Sequence, residues 1–388
     1  MEPTADLDAP PLIPEHGRLR TRLAVAGADL ALRATLLLSP RPGALLVRRV
    51  FAAGGARTAA ALARHAPDGV ETVRDERYGD GPDAVLDLHR PAGAEGPLPT
   101  VVWIHGGGWV GGSKAELAGW CALLASRGCA VAAPRYSLAP EARYPTPLRQ
   151  TMEALAHLRR HADRLGLDPS RFALAGDSAG AQIAAQAAAL VTTPGYAEAV
   201  GVAPTIAPED LRAVVLACGP YDLAALDAGG GGGASASGGG GGHGASGDGA
   251  SRDGGSAHAV SGGGLADGAT ARRLVRAVLW AYFGDRRYAE SRRFAAASVA
   301  DHVTAAFPPA LLTVGNADPL RPHSELLAAR LRDAGAEVET LFFPADRTPP
   351  LGHEYQFDLD GAAGREFLAR LTAFLDHRLA PAARSDAG

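Results

Sequence analysis

The sequence predicts an α/β protein in which helices cover both faces of a mostly parallel sheet. Short apolar or β-branched runs alternate with longer amphipathic patterns along the 388-residue chain, and this alternation is typical of strand-helix-strand units. The predicted strands are residues 84–90, 100–105, 129–136, 171–176, 213–218, 310–315 and 337–343. Because ligand sites in such sheets form beyond the carboxyl ends of the strands, the residues that follow these runs are the functional candidates.

Helical patterns follow most of the predicted strands. Apolar residues recur at helical spacing in "KAELAGWCALLASRG", where Gly128 is a C-cap candidate, and in "PLRQTMEALAHLRRHADRLG", "PHSELLAARLRDAGA" and "GREFLARLTAFLDHRLA". One segment differs from all others: residues 229–264 are half glycine, and most of the rest are Ser, Ala, Asp or His. Such a composition predicts a disordered insert, which adds about 1 to 2 kcal/mol of loop-closure entropy and leaves one domain intact. Its role is open between a passive insertion and a mobile lid.

Composition excludes several classes of protein. With 47% apolar and 21% charged residues, the chain is expected to be soluble and globular, neither fibrous nor disordered throughout. A formal net charge of −4 provides no basic field, so no nucleic-acid partner is expected. Residues 23–38 are apolar but are interrupted by Asp29 and Arg33, which predicts an amphipathic helix and no stable membrane insertion.

The cysteines and the N-terminal residues indicate the cellular compartment of the protein. The three cysteines, Cys121, Cys129 and Cys218, have no metal-ligand spacing, and an odd number does not fit a disulfide framework. They are interpreted as buried thiols in a reducing compartment, with no metal site. The opening "MEPTADLDAPPLIPEHGRLR" has acidic residues and prolines where a signal peptide has a basic start and an apolar run. A cytoplasmic location is therefore expected.

A candidate nucleophile lies between a predicted strand and an Ala-rich helix. The segment "RFALAGDSAGAQIAAQAAALV" places Gly176-Asp177-Ser178-Ala179-Gly180 at that junction, which is the context of a G-x-S-x-G nucleophile elbow. Glycines are needed on both sides of the serine because the strand and helix backbones approach too closely for a Cβ. The amide of Ala179, at the helix N-terminus, favours a nearby negative charge. An ordinary strand-helix turn is the alternative.

A glycine run upstream of Ser178 favours the nucleophile elbow over an ordinary strand-helix turn. His105-Gly106-Gly107-Gly108-Trp109 directly follows a predicted strand, where a second oxyanion donor is required for acyl transfer. A glycine run allows backbone amides to turn inward without obstruction. The alternative is a phosphate-binding loop, but neither G-x-x-x-x-G-K-[ST] nor a helix-opening G-x-G-x-x-G is present.

The order and spacing of HGGGW, "YSLAPEARYP" (136–145) and GDSAG resemble the hormone-sensitive-lipase family of α/β-hydrolases, in its microbial carboxylesterase branch. The resemblance implies an eight-stranded α/β-hydrolase sheet over residues 76–380, interrupted by the insert, and ester hydrolysis without a cofactor. It also implies a cap over the pocket, built partly from N-terminal helices in residues 23–75. Residues 1–22 are expected to be disordered, and residues 381–388 to form a C-terminal tail. By the same resemblance Ser178 is the nucleophile, the amides of Gly107, Gly108 and Ala179 form the oxyanion hole, and supporting residues are His105, Gly106, Glu141, Gly176, Asp177 and Gly180.

The order of the triad in this fold, serine then acid then histidine, locates the other two residues. Asp318 in "ALLTVGNADPL" follows a late strand and resembles the family's D-P-L turn; read alone, an Asp-Pro indicates a turn or helix start. His353 is the only histidine in the loop after the next strand. Relatives usually have a shorter loop and His-Gly-Phe here, whereas this chain inserts "ADRTPP" and has Glu354-Tyr355 after the histidine.

The sequence therefore predicts a serine hydrolase for a small ester with a short to medium acyl chain. Related α/β-hydrolases cleave amides, formamides or peptides, and the triad alone does not separate these substrates. A binding protein of the same fold that has lost its triad histidine is the alternative from another class. The choice between monomer and homodimer is open.

Overall fold

The protein is described by a computed structural model that covers residues 38–229 and 268–381. Its centre is an eight-stranded sheet with the strand order β1-β2-β4-β3-β5-β6-β7-β8. The strands are β1 Val70–Arg77, β2 Val85–Pro91, β3 Leu98–Ile104, β4 Ala130–Pro134, β5 Leu167–Asp177, β6 Leu211–Ala217, β7 Ala310–Val314 and β8 Val338–Phe342. The two pairs that involve β2 are antiparallel, and the other five are parallel. The predicted mostly parallel, eight-stranded sheet is confirmed.

Helices lie on both faces of this sheet. They are α1 Arg41–Ala63, α2 Ala118–Ala125, α3 Thr146–Arg160, α4 Ala162–Leu165, α5 Ala179–Thr192, α6 Tyr196–Val200, α7 Leu223–Ala228, α8 Gly268–Phe283, α9 Arg292–Ala297, α10 Arg321–Asp333 and α11 Ala362–Arg378. None of the helices within the described ranges is both long enough and apolar enough to cross a membrane.

The seven predicted strands are all present, but the first strand of the sheet has no counterpart in the sequence prediction. β1 has the sequence "VETVRDER" and is mostly exposed or half-buried. An edge strand of this kind has no continuous apolar run, so its pattern is weak. The predicted start of the catalytic domain at residue 76 falls inside β1, and residues 70–75 are strand where a helical cap was predicted.

Other predicted regions lie partly outside the described residues. The cap region 23–75 contains helix α1, while 23–37 falls outside. The N-terminal segment 1–22, nearly all of the Gly-rich insert 229–264 and all but the first residue of the 381–388 tail also lie outside. Predictions about order in these segments remain predictions.

The core has two layers because successive side chains of the central strands point to opposite faces. In β3, Val102 and Ile104 belong to the layer on one side, and Val101 and Trp103 to the layer on the other. The second layer contains an aromatic cluster in which the Trp103 and Trp120 rings meet edge to face at 5.3 Å. These buried layers fix the central strands, and the candidate residues follow the carboxyl ends of β3, β5, β7 and β8.

Candidate active site

Ser178 lies between β5 and α5 with an unusual backbone conformation. Its φ is 52° and its ψ is −121°, a region that residues other than glycine seldom occupy. The Ser178 amide donates a hydrogen bond to the Ala217 carbonyl at the end of β6, at 2.8 Å. The strained turn is thus tied to the neighbouring strand, and the Ser178 side chain lines a pocket at the carboxyl edge of the sheet.

Gly176 and Gly180 permit the close approach that produces this turn. A Cβ on Gly176 would lie 2.5 Å from the Gly180 carbonyl carbon, and a Cβ on Gly180 would lie 2.0 Å from the Ile104 carbonyl oxygen. Both contacts are with backbone atoms, which cannot move aside as a flexible side chain can. The steric requirement predicted for the two glycines is therefore present on both sides of the serine.

The glycine run after β3 forms a tight loop beside the elbow. Gly107 and Gly108 have φ values of 111° and 57°, and a Cβ on Gly107 would lie 2.2 Å from the Gly111 carbonyl oxygen. Among the residues the structure describes, the amides of Gly107 and Gly108 donate to no other group. The Ala179 amide, at the first position of α5, also has no partner within its helix. These amides remain available to an external acceptor.

Asp177 joins this loop to the elbow. One carboxylate oxygen accepts from the Gly106 amide at 2.8 Å, and the other accepts from the Trp103 indole nitrogen at 2.9 Å. Burial, with a contribution from Glu354, raises the pKa of Asp177 well above its ordinary value. The Asp177 carboxyl group thus positions the glycine loop after β3 and is buried.

His105 is buried beneath the glycine run. Its ring stacks on Tyr136 with a centroid separation of 4.3 Å, and its Nδ1 lies 2.8 Å from the Gly106 carbonyl oxygen. Burial lowers the pKa of His105 to about 4, so the ring is uncharged at neutral pH. Within the described chain its Nε2 has no hydrogen-bond partner.

The three predicted triad residues form one hydrogen-bonded chain. His353 Nε2 lies 2.9 Å from Ser178 Oγ, and His353 Nδ1 lies 2.9 Å from Asp318 Oδ2. The other oxygen of Asp318 accepts from the Leu320 amide at 2.8 Å, which fixes the carboxylate. Burial disfavours the imidazolium, but the adjacent Asp318 carboxylate outweighs it and holds the pKa of His353 well above its ordinary value.

The long loop that carries His353 is held by side chains from β7 and from the turn after it. Asn316 Oδ1 accepts from the Leu351 amide at 2.8 Å, and Asn316 Nδ2 donates to the Arg347 carbonyl at 3.0 Å. The Tyr355 and Thr313 hydroxyls are also hydrogen-bonded. The inserted "ADRTPP" therefore does not displace the histidine from the serine.

Cys218 adds a thiol, which is a possible metal ligand, beside the triad in the part of the chain that the structure describes. Its Sγ and single ligand atoms of Asp318 and His353 all lie within 4.8 Å of one another. Both His353 nitrogens already have partners in Ser178 and Asp318, so a bound ion would disrupt the hydrogen-bonded chain. Burial raises the pKa of the Cys218 thiol, which further disfavours a thiolate ligand.

Helix α1 closes one side of the pocket, a contribution for which the sequence analysis named no residues. Phe51, Gly54, Gly55 and Thr58 of this helix line the pocket together with Ser178. An amphipathic helix before the sheet was the available signal, but the face it would present could not be read from its pattern. Trp109 and Tyr282 do not line this pocket; their rings stack on each other at 4.8 Å and are buried in the core.

Arg48 attaches helix α1 to the glycine loop that follows β3. It donates to the Val110 carbonyl at 2.5 Å, to the Ala139 carbonyl at 2.7 Å and to the Glu141 carboxylate at 2.5 Å. Glu141, predicted as a supporting residue, is 48% exposed and also faces Arg41 at 3.6 Å. Its contacts are with the cap helix, and it does not line the pocket.

The sheet order, the strand-serine-helix turn and the late aspartate and histidine together define an α/β-hydrolase. A family model described as "alpha/beta hydrolase fold" matches residues 101–227 and 256–347, more than half of the chain. The chain therefore belongs to this family, in its hormone-sensitive-lipase-like group, as the motifs predict.

Curated relatives and solved structures agree with this placement. The chain is 41% identical over 105 residues to an esterase of Gibberella moniliformis, covering 27% of this chain and 33% of the relative. It is 36% identical over 141 residues to carboxylesterase NlhH of Mycobacterium tuberculosis, covering 33% and 42%. The aligned segments thus span about a third to two fifths of these relatives.

Solved structures extend the likeness to most of the fold. Esterase B from Lactobacillus rhamnosis aligns with a TM-score of 0.66 at 22% identity, over 87% of this chain and 96% of its own. Esterase LipW from Mycobacterium marinum aligns with a TM-score of 0.59 at 25% identity, over 87% and 90%. At these identities the likeness concerns the fold.

Proposed function

We propose that this protein is a carboxylesterase in which Ser178 is the nucleophile, His353 the general base and acid, and Asp318 the residue that orients the histidine. The observation that carries the proposal is the chain of two 2.9 Å contacts from Ser178 Oγ through the imidazole to Asp318. Such a chain is the arrangement that activates a serine hydroxyl. Ester-cleaving relatives in the same family support the choice of reaction.

The first half of the reaction forms an acyl-enzyme. His353 Nδ1 carries the proton that Asp318 accepts, so Nε2 is free to take the proton from Ser178 as its oxygen attacks the ester carbonyl. The carbonyl oxygen becomes an oxyanion, which the amides of Gly107, Gly108 and Ala179 bind. When the tetrahedral intermediate collapses, the ester C–O bond breaks and the leaving alkoxide takes the proton from His353.

The second half releases the acid. Water gives a proton to His353 Nε2 as its oxygen adds to the acyl carbon, and the same amides bind the second oxyanion. The bond to Ser178 then breaks, and the serine recovers the proton from the imidazolium. The sum is one ester and one water converted to one acid and one alcohol, and each amide contributes about 3 kcal/mol to the barrier reduction.

Short to medium acyl chains are the proposed range. Helix α1 covers the pocket, and Phe51 would lie 3.1 Å from a Cβ added to Gly108. Bulk this close to the oxyanion loop restricts the space available beside the reacting carbonyl. Longer chains would have to displace the cap helix.

Hydrolysis of p-nitrophenyl esters from acetate to laurate tests the proposal. The wild-type protein should cleave the shorter members, while Ser178→Ala and His353→Ala should each reduce kcat by about 10⁴-fold or more. A serine-reactive phosphonate should label the wild type and leave Ser178→Ala unlabelled. The proposal is falsified if folded wild-type protein cleaves none of these esters and resists the phosphonate, the result expected of a binding-only relative.

A further inference from the structure

Besides Asp177, whose oxygens already accept from the Gly106 amide and the Trp103 indole, two carboxylates line the pocket in front of the serine. Glu354 directly follows His353, and its Oε1 lies 3.9 Å from His353 Nε2. Glu116 lines the same pocket from the segment before α2. Among the described residues no lysine or arginine lines this pocket, and neither glutamate forms an ion pair with one.

The basic side chains on neighbouring segments already have acidic partners. Lys114 lies 2.5 Å from Asp87 and 3.0 Å from Asp75, and Arg48 lies 2.5 Å from Glu141. The Glu354 and Glu116 carboxylates are therefore not members of the ion-pair networks formed by these basic side chains. Their negative charge faces the space that a substrate would occupy.

Both carboxylates are held in place at an energetic cost. Glu354 has a φ of 59° and a ψ of 30°, the left-handed conformation that favours glycine. Its side chain is only 26% exposed. Burial, with a contribution from Glu354, raises the pKa of Glu116. Negative charge beside the serine also opposes the oxyanion that must form there, so the cost is chemical as well as conformational.

Helix α1 leaves room for the Glu116 carboxylate. Gly54 and Gly55 lie in the middle of this helix, where glycine weakens a helix relative to alanine. A Cβ on Gly55 would lie 2.1 Å from Glu116 Oε2. The two glycines therefore lower the stability of helix α1 at the point where the Glu116 carboxylate enters the pocket.

The neutral residue His105 is also among those that line the pocket. His105 is 3% exposed, and its Nδ1 faces the Gly106 carbonyl, which can only accept. Nδ1 therefore carries the ring proton, and Nε2 remains an acceptor without a partner among the described residues. The uncharged ring adds no positive charge to the pocket wall, so the two carboxylates suit a ligand that carries positive charge and an N–H group.

The position of Glu354 identifies the part of the substrate that carries the charge. His353 Nε2 delivers the proton to the leaving alkoxide, so the alcohol portion lies beside Nε2, and Glu354 is adjacent to that atom. We propose that Glu354 and Glu116 select esters whose alcohol carries a protonated amine two or three bonds from the ester oxygen. This inference rests on the proposed esterase function and specifies its substrate class.

A pair of esters with the same shape tests it. 2-(Dimethylamino)ethyl acetate is cationic at neutral pH, and 3-methylbutyl acetate replaces its nitrogen with CH. The wild type should prefer the cationic ester by about tenfold in kcat/KM, equivalent to about 1.4 kcal/mol. Glu354→Gln and Glu116→Gln should each lower this ratio, and the double variant should bring it close to one. Glu198→Gln, an equal charge change on exposed α6, should retain the wild-type ratio.

A second variant separates selectivity from structure. Glu354→Gly relieves the left-handed backbone and should raise the melting temperature, yet it should still lose the preference for the cationic ester. A wild-type ratio near one, or a ratio that survives in the double variant, overturns the inference while leaving the esterase intact. Failure to cleave either ester, together with no phosphonate labelling, contradicts the proposed function instead.

Discussion

Ser178 and His353 form one hydrogen-bonded pair, but they are held in different ways. The serine is positioned by backbone packing: β3, β5 and α5 approach so closely that a Cβ on Gly180 would overlap the Ile104 carbonyl. The histidine lies on a long loop positioned by side chains before and after it, chiefly Asn316 and Tyr355. At Leu351 and Gly352 the loop also meets backbone, where the Ala317 amide donates to the Leu351 carbonyl at 2.9 Å and Gly315 lies close by. The backbone packing at the serine elbow tolerates almost no substitution, whereas the part of the loop before Leu351, which side chains hold, can change in length and sequence and still present the histidine.

The residues around Ser178 and those around His353 also contribute different functions to the proposed reaction. In the proposed mechanism, the serine side provides a rigid nucleophile and the amides that bind the oxyanion, which the reaction needs for any ester. The histidine side combines the general base with Glu354, which we propose selects the alcohol. The proposed selectivity thus belongs to the side of the pocket that a long loop provides.

The largest expected effect is from a methyl group at the serine elbow. Gly180→Ala should destabilise the fold by more than about 3 kcal/mol, because its Cβ meets backbone that cannot yield. Urea unfolding measures this change. Gly81→Ala is the matched control, since its Cβ would have only Ala84 nearby, at 3.8 Å. Equal stability of the two variants would mean that the elbow is not sterically determined.

On the histidine side, the largest effect should come from Asp318→Asn. We expect kcat to fall by about 10³- to 10⁴-fold with little loss of stability, because the amide no longer favours the required imidazole tautomer.

In the wild type, kcat/KM should rise with pH as His353 loses its proton, with a midpoint above the ordinary histidine value of 6.5. Without the carboxylate the imidazolium is less favoured, so the midpoint of the remaining activity should move to lower pH. A pH profile with an unmoved midpoint would contradict this account.

A smaller effect is expected from loosening the loop alone. Asn316→Ala removes hydrogen bonds to the Leu351 amide and the Arg347 carbonyl, and should lower kcat/KM about tenfold and stability by about 1 to 2 kcal/mol. Steady-state kinetics and thermal unfolding measure both. Asp346→Ala, an exposed change in the same loop, should match the wild type. If it is as impaired as Asn316→Ala, the loop is held by something other than Asn316.

The smallest effect should come from the attachment of the cap helix. Arg48→Ala removes contacts with Val110, Ala139 and Glu141, so α1 should move more freely over the pocket and KM should rise about three- to tenfold. Arg49→Ala, an exposed change on the same helix, should leave KM unchanged. A kcat loss as large as that of Asp318→Asn would show that the helix does more than cover the pocket.

Much of the fold was readable from local patterns. The seven predicted strands are buried or half-buried segments with apolar runs, and their alternation with helices specified a parallel sheet. β1 was missed because "VETVRDER" lies at an exposed edge and carries mainly polar residues. β1 is a strand because it pairs with β2, and this pairing through backbone hydrogen bonds produces no distinctive pattern in the sequence of either strand.

The candidate triad was also predictable, for a different reason at each residue. A serine between two glycines at a strand-helix junction is a local requirement of backbone packing, so the motif itself reveals Ser178. Asp318 and His353 followed from chain order in a known fold. Nothing local indicated that Glu116 enters the pocket, because the space it occupies is created by Gly55 on a distant helix.

By itself the sequence determined the layered sheet, the elbow and the identities of the three triad candidates, since these depend on periodicity, glycine sterics and chain order. Only the tertiary structure decided the character of the pocket. It brings α1, the segment of Glu116 and the loop of Glu354 together around one serine, although they are far apart along the chain. Electrostatic and steric effects depend on distances in space, so the charge that faces a substrate became visible only after the chain was folded.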